Sequence, residues 1–283
     1  MFEGSEYAYY GMYLVGFALM MVINLRTHKK YSLSKAVTVL ITLVTYVAGI
    51  TGAMIMGSGY TALIERFDAG ESSVAIFGAV VFTPLFMIAF SLISGQSWRN
   101  VMDMLAPGIF IILACAKFGC FMAGCCPGRE CSFGVYNPEL ELTVFPSQLF
   151  ESITMAVVVG FCFFYAFKYK RCKSGSVYPV TAAVYSVTRF FWEFMRYYKV
   201  EEMRHLVLGM TFWQFWCVVV IILSVCWILI LDNKKLLEAE VKHYTFTDTK
   251  INKFNEKLEK FKHRNDKDIV HHKKKKKKNI KRH

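Results

Sequence analysis

Charged side chains are scarce in this 283-residue chain, at 19% of its residues, and none of its seven histidines lies in a long hydrophobic segment. Hydrophobic residues make up 55% of the chain and aromatic residues 16%, and the mean hydropathy is +0.35. Soluble domains contain about half or fewer apolar residues. The composition therefore excludes an ordinary soluble domain and predicts an integral membrane protein.

The N-terminus lacks the basic residues with which a secretory signal peptide begins. Glu3 and Glu6 precede the first hydrophobic segment instead, and a signal peptide has a positively charged region at this place. We therefore expect the first hydrophobic segment to remain in the mature protein.

Seven hydrophobic segments reach or approach the length of about 20 residues that a helix needs to cross the hydrocarbon core. They lie near residues 9–26, 36–56, 73–95, 104–122, 147–167, 177–196 and 206–231. The sequence thus predicts an all-α integral membrane protein, with a seven-helix domain over residues 1–231 and a tail over residues 232–283. It shows no internal repeat of the kind that many transporters carry.

The basic residues of the connections predict the orientation, because cytoplasmic loops carry an excess of Lys and Arg. The first, third and fifth connections hold nine of them, against five in the opposite connections. We therefore expect an N-terminus outside and a C-terminus in the cytoplasm.

The tail is strongly basic, with 18 Lys and Arg against 8 Asp and Glu. Apolar residues at helical spacing predict an amphipathic surface helix over residues 249–262, and the run Lys273–Lys278 is typical of a disordered end. Such a tail favours anionic lipids of the inner leaflet, at about 1 kcal/mol per basic residue. Alternatively, it only fixes the topology. Nothing in the chain resembles a nucleic-acid-binding fold.

The sixth segment carries charges at bilayer depth. Tyr185, Arg189, Glu193 and Arg196 are spaced four, four and three residues apart, which places them on one helical face. An ionisable group in hydrocarbon costs about 3 kcal/mol, so such groups usually face a polar cavity. The pattern predicts a cavity for an anionic ligand, or alternatively an internal Arg189–Glu193 ion pair that fixes helix packing.

Four cysteines cluster near the outer end of the fourth segment, as Cys120-x4-Cys125-Cys126-x4-Cys131. The cluster lacks the CxxC spacing that zinc sites favour, and a disulfide is possible on an oxidising face. Adjacent Cys125 and Cys126 point different ways, so we expect one of them to face the cavity.

Glycines surround this cluster, and Lys117 and Arg129 bracket it with positive charge. Glycine permits close backbone approach and positive φ, and the backbone N–H groups of such a loop bind anions. The region therefore forms either an anion-binding loop or a tight re-entrant turn without a ligand.

Five stretches resemble the motifs of the phosphatidylglycerol–prolipoprotein diacylglyceryl transferases of bacterial membranes, in the order and at the spacing of that family. The stretches are Tyr9–Phe17 (YYGMYLVGF, like WYGLMYLVGF), Lys117–Arg129 (KFGCFMAGCCPGR, like GRxGNFxNxExxGR), Phe145–Glu151 (FPSQLFE, like HPSQLYE), Tyr185–Arg196 (YSVTRFFWEFMR, like YxxxRFxxEFxR) and Gly209–Gln214 (GMTFWQ, like GLTxGQ). The resemblance covers about residues 7–231, and the GCFxxGCC pattern is similar to that of a cysteine-bearing branch of the family.

The resemblance implies a multi-pass enzyme of the bacterial cytoplasmic membrane that uses no metal or cofactor. Such an enzyme transfers a diacylglyceryl group from phosphatidylglycerol to the lipobox cysteine of a secreted prolipoprotein. The acceptor thiol must become a thiolate, and fixed positive charge must stabilise the departing glycerol phosphate. The implied catalytic residues are Arg189, Glu193, Tyr10, Cys120 and Cys125, and the implied substrate-binding residues are Arg129, Arg196, Lys117, Gln148, Tyr185 and Gly128.

Several positions depart from the family pattern. Lys117 replaces an Arg, Cys120 an Asn, Cys125 a Glu and Phe145 a His; the stretches near residues 76–78 and 52–54 lack an expected His and Arg. A thiolate at Cys120 or Cys125, favoured by Lys117, could replace an acid or base group.

Three functions follow from these residues. The first is the diacylglyceryl transfer or a related reaction. The second is a non-catalytic membrane protein that binds anionic lipid, which the missing residues favour. The third is a thiol-redox or metal-dependent membrane protein that uses the Cys120–Cys131 cluster.

Overall fold

The computed structural model describes residues 5–64, 76–138, 140–169, 172–198, 207–231 and 233. The predicted tail features, the amphipathic helix over residues 249–262 and the run Lys273–Lys278, lie outside these residues.

Each of the seven hydrophobic segments contains a helix. The helices are α1 (Ser5–Thr27), α2 (Lys35–Ile64), α3 (Ile76–Ser94), α4 (Trp98–Ala123), α5 (Ser147–Phe167), α6 (Val177–Trp192) and α7 (Phe212–Leu231), with short 3-10 helices at His28–Tyr31 and Glu193–Met195. Six of them, all except α6, are long and apolar enough to cross a membrane. Helix α6 has 16 residues, or about 24 Å, which is shorter than the hydrocarbon core of about 30 Å.

The all-α prediction was wrong between α4 and α5, where the chain forms a two-stranded antiparallel sheet. Strand β1 (Glu130–Asn137) pairs with β2 (Leu142–Val144), and Val135 lies opposite Val144. The side chain of Asn137 stabilises the hairpin, because its Oδ1 accepts a bond from the N–H of Leu140 and its Nδ2 donates to the carbonyl of Gly124. Two strands of this length, interrupted by a bulge, show too little alternation to be recognised in the sequence.

Helix α4 is the central helix of the fold and packs against α1, α3, α5 and α6. Its residues from Val101 to Phe110 are all buried. It also holds three buried charged residues, Arg99, Asp103 and Lys117. A central position explains how a membrane helix carries them, because charges at bilayer depth require shelter from lipid.

Small residues let α1 lie close to α4. A Cβ atom on Gly16 would be 3.1 Å from the Cβ of Cys115, and one on Gly119 would be 3.3 Å from the Cα of Tyr9. Close approach through small residues is a common way to pack membrane helices. As a result, the N-terminal half of α1 lies beside the end of α4 that carries the cysteines.

Asp103 connects α4 to the start of α6. Its Oδ2 accepts a hydrogen bond of 2.7 Å from the N–H of Gly175, and its Oδ1 accepts one of 2.9 Å from the N–H of Val177. These backbone groups lie at the N-terminus of α6, where N–H groups have no partner within the helix. The carboxylate therefore fixes α6, the helix of Arg189, against the helix of Lys117.

Candidate active site

Four charged side chains from three helices and one 3-10 helix meet in a buried ionic cluster of Lys117, Glu151, Arg189 and Glu193. Lys117 Nζ lies 2.5 Å from Glu151 Oε2, and Arg189 Nε lies 3.7 Å from the same oxygen. Arg189 Nη2 lies 2.6 Å from Glu193 Oε2. All four residues are buried, the most exposed of them at 8%. The cluster joins α4, α5, α6 and the turn after α6.

The ion pair between Arg189 and Glu193, predicted from their spacing, is present. It is not isolated, because Glu151 bridges Arg189 to Lys117. The hydroxyl of Tyr198 also donates a hydrogen bond to Glu193. A buried charge without a partner is strongly destabilising, so these contacts account for how two cations and two carboxylates coexist here.

Two guanidinium nitrogens near this cluster lack an acceptor. Neither Nη1 of Arg189 nor Nε of Arg196 has a hydrogen-bond partner among the described residues, although both atoms are buried. An unsatisfied buried donor costs about 1–3 kcal/mol, and more when the group is charged. Internal helix packing alone does not use these two donors.

The loop that follows α4 is held by three hydrogen bonds to two other segments. Gln148 Nε2 donates to the carbonyl of Cys125 at 2.6 Å, and the N–H of Tyr197 donates to the carbonyl of Pro127 at 3.1 Å. The N–H of Arg129 donates to the carbonyl of Met195 at 2.9 Å. The loop is therefore anchored to α5 and to the segment after α6, next to the ionic cluster.

Gly128 must be glycine because the backbone of two neighbouring segments approaches it. A Cβ atom there would lie 2.4 Å from the carbonyl oxygen of Phe145 and 3.0 Å from that of Met195. Gly128 thus permits the close backbone approach that was expected of the glycine-rich loop. The next residue, Arg129, is exposed.

The cysteine cluster divides into a group of three thiols and a separate fourth. Cys120 is buried, Cys125 is half-buried and Cys126 is exposed, and the thiol of Cys125 donates to the carbonyl of Cys120 at 3.7 Å. The thiol of Cys131 instead donates to the carbonyl of Phe133 at 2.6 Å. All nine cysteines are free, and the described part of the chain contains no grouping of His, Cys, Asp or Glu that could hold a metal ion.

The pKa values of the two loop cysteines, Cys125 and Cys126, are shifted in opposite directions. Hydrogen bonds from Cys120 and Cys125 hold the pKa of Cys126 well below its usual range, and the charges of Arg196 and Lys117 lower it further. Desolvation by the surrounding protein opposes this shift. The pKa of Cys125 is raised: its hydrogen bond with Cys120 lowers it, but hydrogen bonding to Cys126 and burial outweigh that effect.

The role of Tyr10, which the family resemblance implies as a catalytic residue, stays a prediction. Tyr10 is 63% exposed, because it lies about 100° around α1 from Tyr9. Tyr9 lies against Gly119 of α4, and its hydroxyl donates to that of Tyr13 at 3.5 Å. Position therefore favours Tyr9 as the tyrosine near the three thiols.

The other predicted side chains are placed as follows. Tyr185 is buried and packs on Phe77 and Phe110, with ring centroids 5.6 and 5.7 Å away. Phe145, at the position of the family's His, stacks on Phe150 at 5.0 Å. An aromatic stack thus occupies the position at which the family pattern has a histidine.

Sequence reasoning missed two residues of the site, Glu151 and Cys126. Glu151 lies in the stretch FPSQLFE but was given no role, although a carboxylate in an apolar helix is the same signal that identified Arg189. Cys126 adopts a positive φ of 58°, which no pattern in the sequence reveals.

Comparison with known families shows that residues 3–230 match the prolipoprotein diacylglyceryl transferase family. A similar protein is the phosphatidylglycerol–prolipoprotein diacylglyceryl transferase 2 of Clostridium perfringens, 31% identical over 171 residues, which are 55% of this chain and 65% of the relative.

The transferases of the same name from Clostridium tetani and Listeria welshimeri are 25% and 28% identical to the chain. Those matches cover 46% and 47% of this chain, and 53% and 51% of the respective relatives. The chain thus spans less than two thirds of the length of these curated relatives.

Proposed function

This chain belongs to the prolipoprotein diacylglyceryl transferase family, and we propose that it transfers a diacylglyceryl group from phosphatidylglycerol to the lipobox cysteine thiol of a prolipoprotein. In this reaction the acceptor thiolate attacks the glycerol carbon that bears the phosphate. The carbon–oxygen bond breaks, a thioether forms, and glycerol phosphate leaves with the electron pair.

The observation that carries this proposal is the free Nη1 of Arg189. Two of the guanidinium nitrogens are held by Glu151 and Glu193, and the third has no acceptor among the described residues. A planar guanidinium fixed in this way suits a phosphate oxygen. Because the donor is buried and already oriented, it stabilises the charge that develops on the departing phosphate without reorganisation.

The remaining predicted residues support this arrangement in different ways. Glu193 and Glu151 orient Arg189, and Lys117 balances Glu151. Arg196, with its own free Nε, and the exposed Arg129 would hold the lipid head group. Gln148, Gly128 and Tyr185 shape the loop and the helix packing, so their effect on the substrate is indirect.

The topology that fits this function has seven membrane spans, an outer N-terminus and a cytoplasmic C-terminus. Helix α6 would be a short span that brings the number of spans from six to seven. The turn at Glu193–Met195 would lengthen it, and α5 and α7 would shelter it from lipid. The donor lipid would reach the site from the bilayer, in a bacterial cytoplasmic membrane. The basic tail over residues 232–283 would bind anionic lipids of the inner leaflet.

A reconstituted transfer assay tests the function. Purified protein in phosphatidylglycerol liposomes is mixed with a lipobox peptide, and mass spectrometry detects an added diacylglyceryl group. We expect product from the wild type, no product from Arg189→Ala, and normal product from the control Cys131→Ala. A wild-type protein that binds phosphatidylglycerol but forms no product would contradict transfer and support lipid binding alone.

A further inference from the structure

The start of α7 carries a buried amide side chain, that of Gln214, which is only 4% exposed. Its Oε1 accepts a hydrogen bond of 3.1 Å from the backbone N–H of Thr211. In return, Thr211 Oγ1 accepts a hydrogen bond of 3.1 Å from the backbone N–H of Gln214. This reciprocal pair is a capping box, which satisfies two N–H groups at the beginning of a helix.

The capping box fixes the orientation of the Gln214 amide. Because the N–H of Thr211 is a donor, the amide atom that faces it must be the oxygen. The NH₂ group therefore points away from the capping box. Its nitrogen, Nε2, is buried and has no hydrogen-bond partner among the described residues. A capping box needs only the side-chain oxygen and accepts glutamate equally well, so the helix start alone does not explain a buried amide nitrogen.

Aromatic packing places the start of α7 beside the ionic cluster. Phe212 and Trp213, the two residues before Gln214, belong to the same aromatic cluster as Tyr198. The hydroxyl of Tyr198 donates a hydrogen bond to Glu193 of the ionic cluster. The chain that leads into Gln214 is therefore connected to the ionic cluster through a single side chain.

The next turn of α7 leads to the same place. Cys217 follows Gln214 by three residues and so lies on the same helical face, and it is fully buried. The charges of Arg189, Glu193 and Glu151 act on its thiol. The face of α7 that carries Gln214 is thus the face directed toward the ionic cluster.

The length of α7 indicates the depth of Gln214 in the bilayer. The helix has 20 residues, or about 30 Å, which matches the hydrocarbon core of about 30 Å. Its first turn therefore lies at the boundary between hydrocarbon and head groups, where tryptophans such as Trp213 and Trp216 are enriched. The acyl ester groups of a glycerophospholipid lie at this boundary, between the phosphate and the hydrocarbon chains.

We propose that Gln214 is a substrate-binding residue whose Nε2 donates a hydrogen bond to an acyl ester carbonyl of the donor lipid, and that it makes the site selective for ester-linked chains. This inference rests on the proposed transferase function. The guanidinium groups of Arg189 and Arg196 suit the charged phosphate. The neutral amide of Gln214, which lies at the depth of the ester groups, suits an uncharged carbonyl oxygen.

The selectivity is tested with two donors in the liposome assay, phosphatidylglycerol with ester-linked chains and phosphatidylglycerol with ether-linked chains. The ether lipid keeps the head group, the phosphate and the reacting carbon but lacks both carbonyl oxygens. We expect the wild type to transfer from the ester donor at least about tenfold faster, because the ether donor leaves the buried amide unpaired. In Gln214→Met the two rates should agree within about twofold, since Met has no donor.

The ratio of the two rates is measured within each variant, so a loss of folded protein affects both rates alike and cancels. Thr211→Ala is the matched control, because it breaks the capping box but keeps the amide nitrogen. We expect Thr211→Ala to lower the midpoint of thermal unfolding and to keep the wild-type ratio. If Gln214→Met does not fold, Gln214→Glu replaces it, which keeps the capping box without the NH₂ group. It is assayed at about pH 8, where a carboxyl group is normally ionised.

A wild-type ratio near one, or the same ratio in the wild type and in Gln214→Met, would overturn the proposal. A ratio that is lost in Thr211→Ala but kept in Gln214→Met would also overturn it, because the selectivity would then depend on the helix start alone.

Lipid binding separates a failure of this inference from a failure of the transferase function. If the wild type forms no product from either donor, the transferase function fails. The full-length protein in detergent is then mixed with equal amounts of the ester and ether lipids, and mass spectrometry measures which lipid it retains. A preference for the ester lipid that disappears in Gln214→Met would support the contact. Equal retention in both proteins would overturn it, as expected if a water molecule is the partner of Nε2.

Discussion

The two ends of α4 hold buried charged residues that differ in how completely the protein provides their hydrogen-bond partners. Near its start, both carboxylate oxygens of Asp103 accept backbone hydrogen bonds, from Gly175 and Val177. Near its end, Lys117 belongs to an ionic cluster in which Arg189 keeps one donor without an acceptor among the described residues. The first group is satisfied by the fold alone, and the second is not.

This difference is the basis on which we propose a structural role for Asp103 and a functional role for Arg189. Burial itself does not distinguish them, because Asp103 is 3% exposed and Arg189 is 5% exposed. What differs is whether the protein provides every hydrogen-bond partner. A fully paired buried group stabilises one conformation, whereas an unpaired buried donor costs free energy that a bound ligand or water molecule recovers.

The largest effect is expected at the end of α4 that carries Lys117. Glu151→Gln keeps the shape of the side chain but removes the negative charge shared by Lys117 and Arg189. Arg189 then loses one of the two carboxylates that orient it. We expect the transfer rate per folded molecule to fall by about a hundredfold or more, measured by the liposome assay.

The matched control for this change is Glu130→Gln, because Glu130 is an exposed carboxylate at the start of strand β1. We expect its transfer rate to stay within about twofold of the wild type, as for most surface changes. Equal losses in both variants would mean that the ionic cluster has no special role.

A smaller effect of a different kind is expected at Asp103. In Asp103→Asn one oxygen still accepts a backbone N–H, but the new amide NH₂ group faces the other N–H. This mismatch should lower the free energy of unfolding by about 1–3 kcal/mol, seen as a lower midpoint of thermal unfolding in detergent. The transfer rate per folded molecule should change by less than about twofold.

Ser174→Ala is the control for Asp103→Asn, because Ser174 lies next to Gly175 in the loop before α6. The change removes only an exposed hydrogen bond, from the hydroxyl of Ser174 to Asn100. Its unfolding midpoint should remain close to that of the wild type. A strong loss of transfer rate in folded Asp103→Asn would show that the satisfied end of α4 is functional as well, and the distinction drawn here would fail.

The sequence predicted the features that depend on one helix at a time. Long apolar runs identified seven helical segments, and the spacing of Arg189 and Glu193 identified their ion pair. The bridge through Glu151 depends on how α4, α5 and α6 are aligned with each other. Part of that register is fixed by Asp103, which binds the start of α6 and which no periodicity within a single segment reveals.

The cysteine loop shows the same limit. The sequence indicated that Cys125 and Cys126 point different ways, but their orientation depends on a backbone with positive φ at Cys126 and on hydrogen bonds from Gln148 and Tyr197. The hairpin was missed because strand β2 has only three residues. Helix faces were thus predictable, whereas turns and contacts between helices were not.

The smallest effect is expected at the two adjacent tyrosines of α1, where a paired hydroxyl group can be compared with an exposed one. The hydroxyl of Tyr9 is paired with that of Tyr13 beside the three thiols, whereas Tyr10 is 63% exposed. Because a hydrogen bond contributes about 1 kcal/mol, Tyr9→Phe should lower the transfer rate by about fivefold. Tyr10→Phe, the matched control, should leave it within about twofold. The reverse order in the liposome assay would restore Tyr10 to the role that the family resemblance predicts, and would mean that α1 turns toward the site when lipid binds.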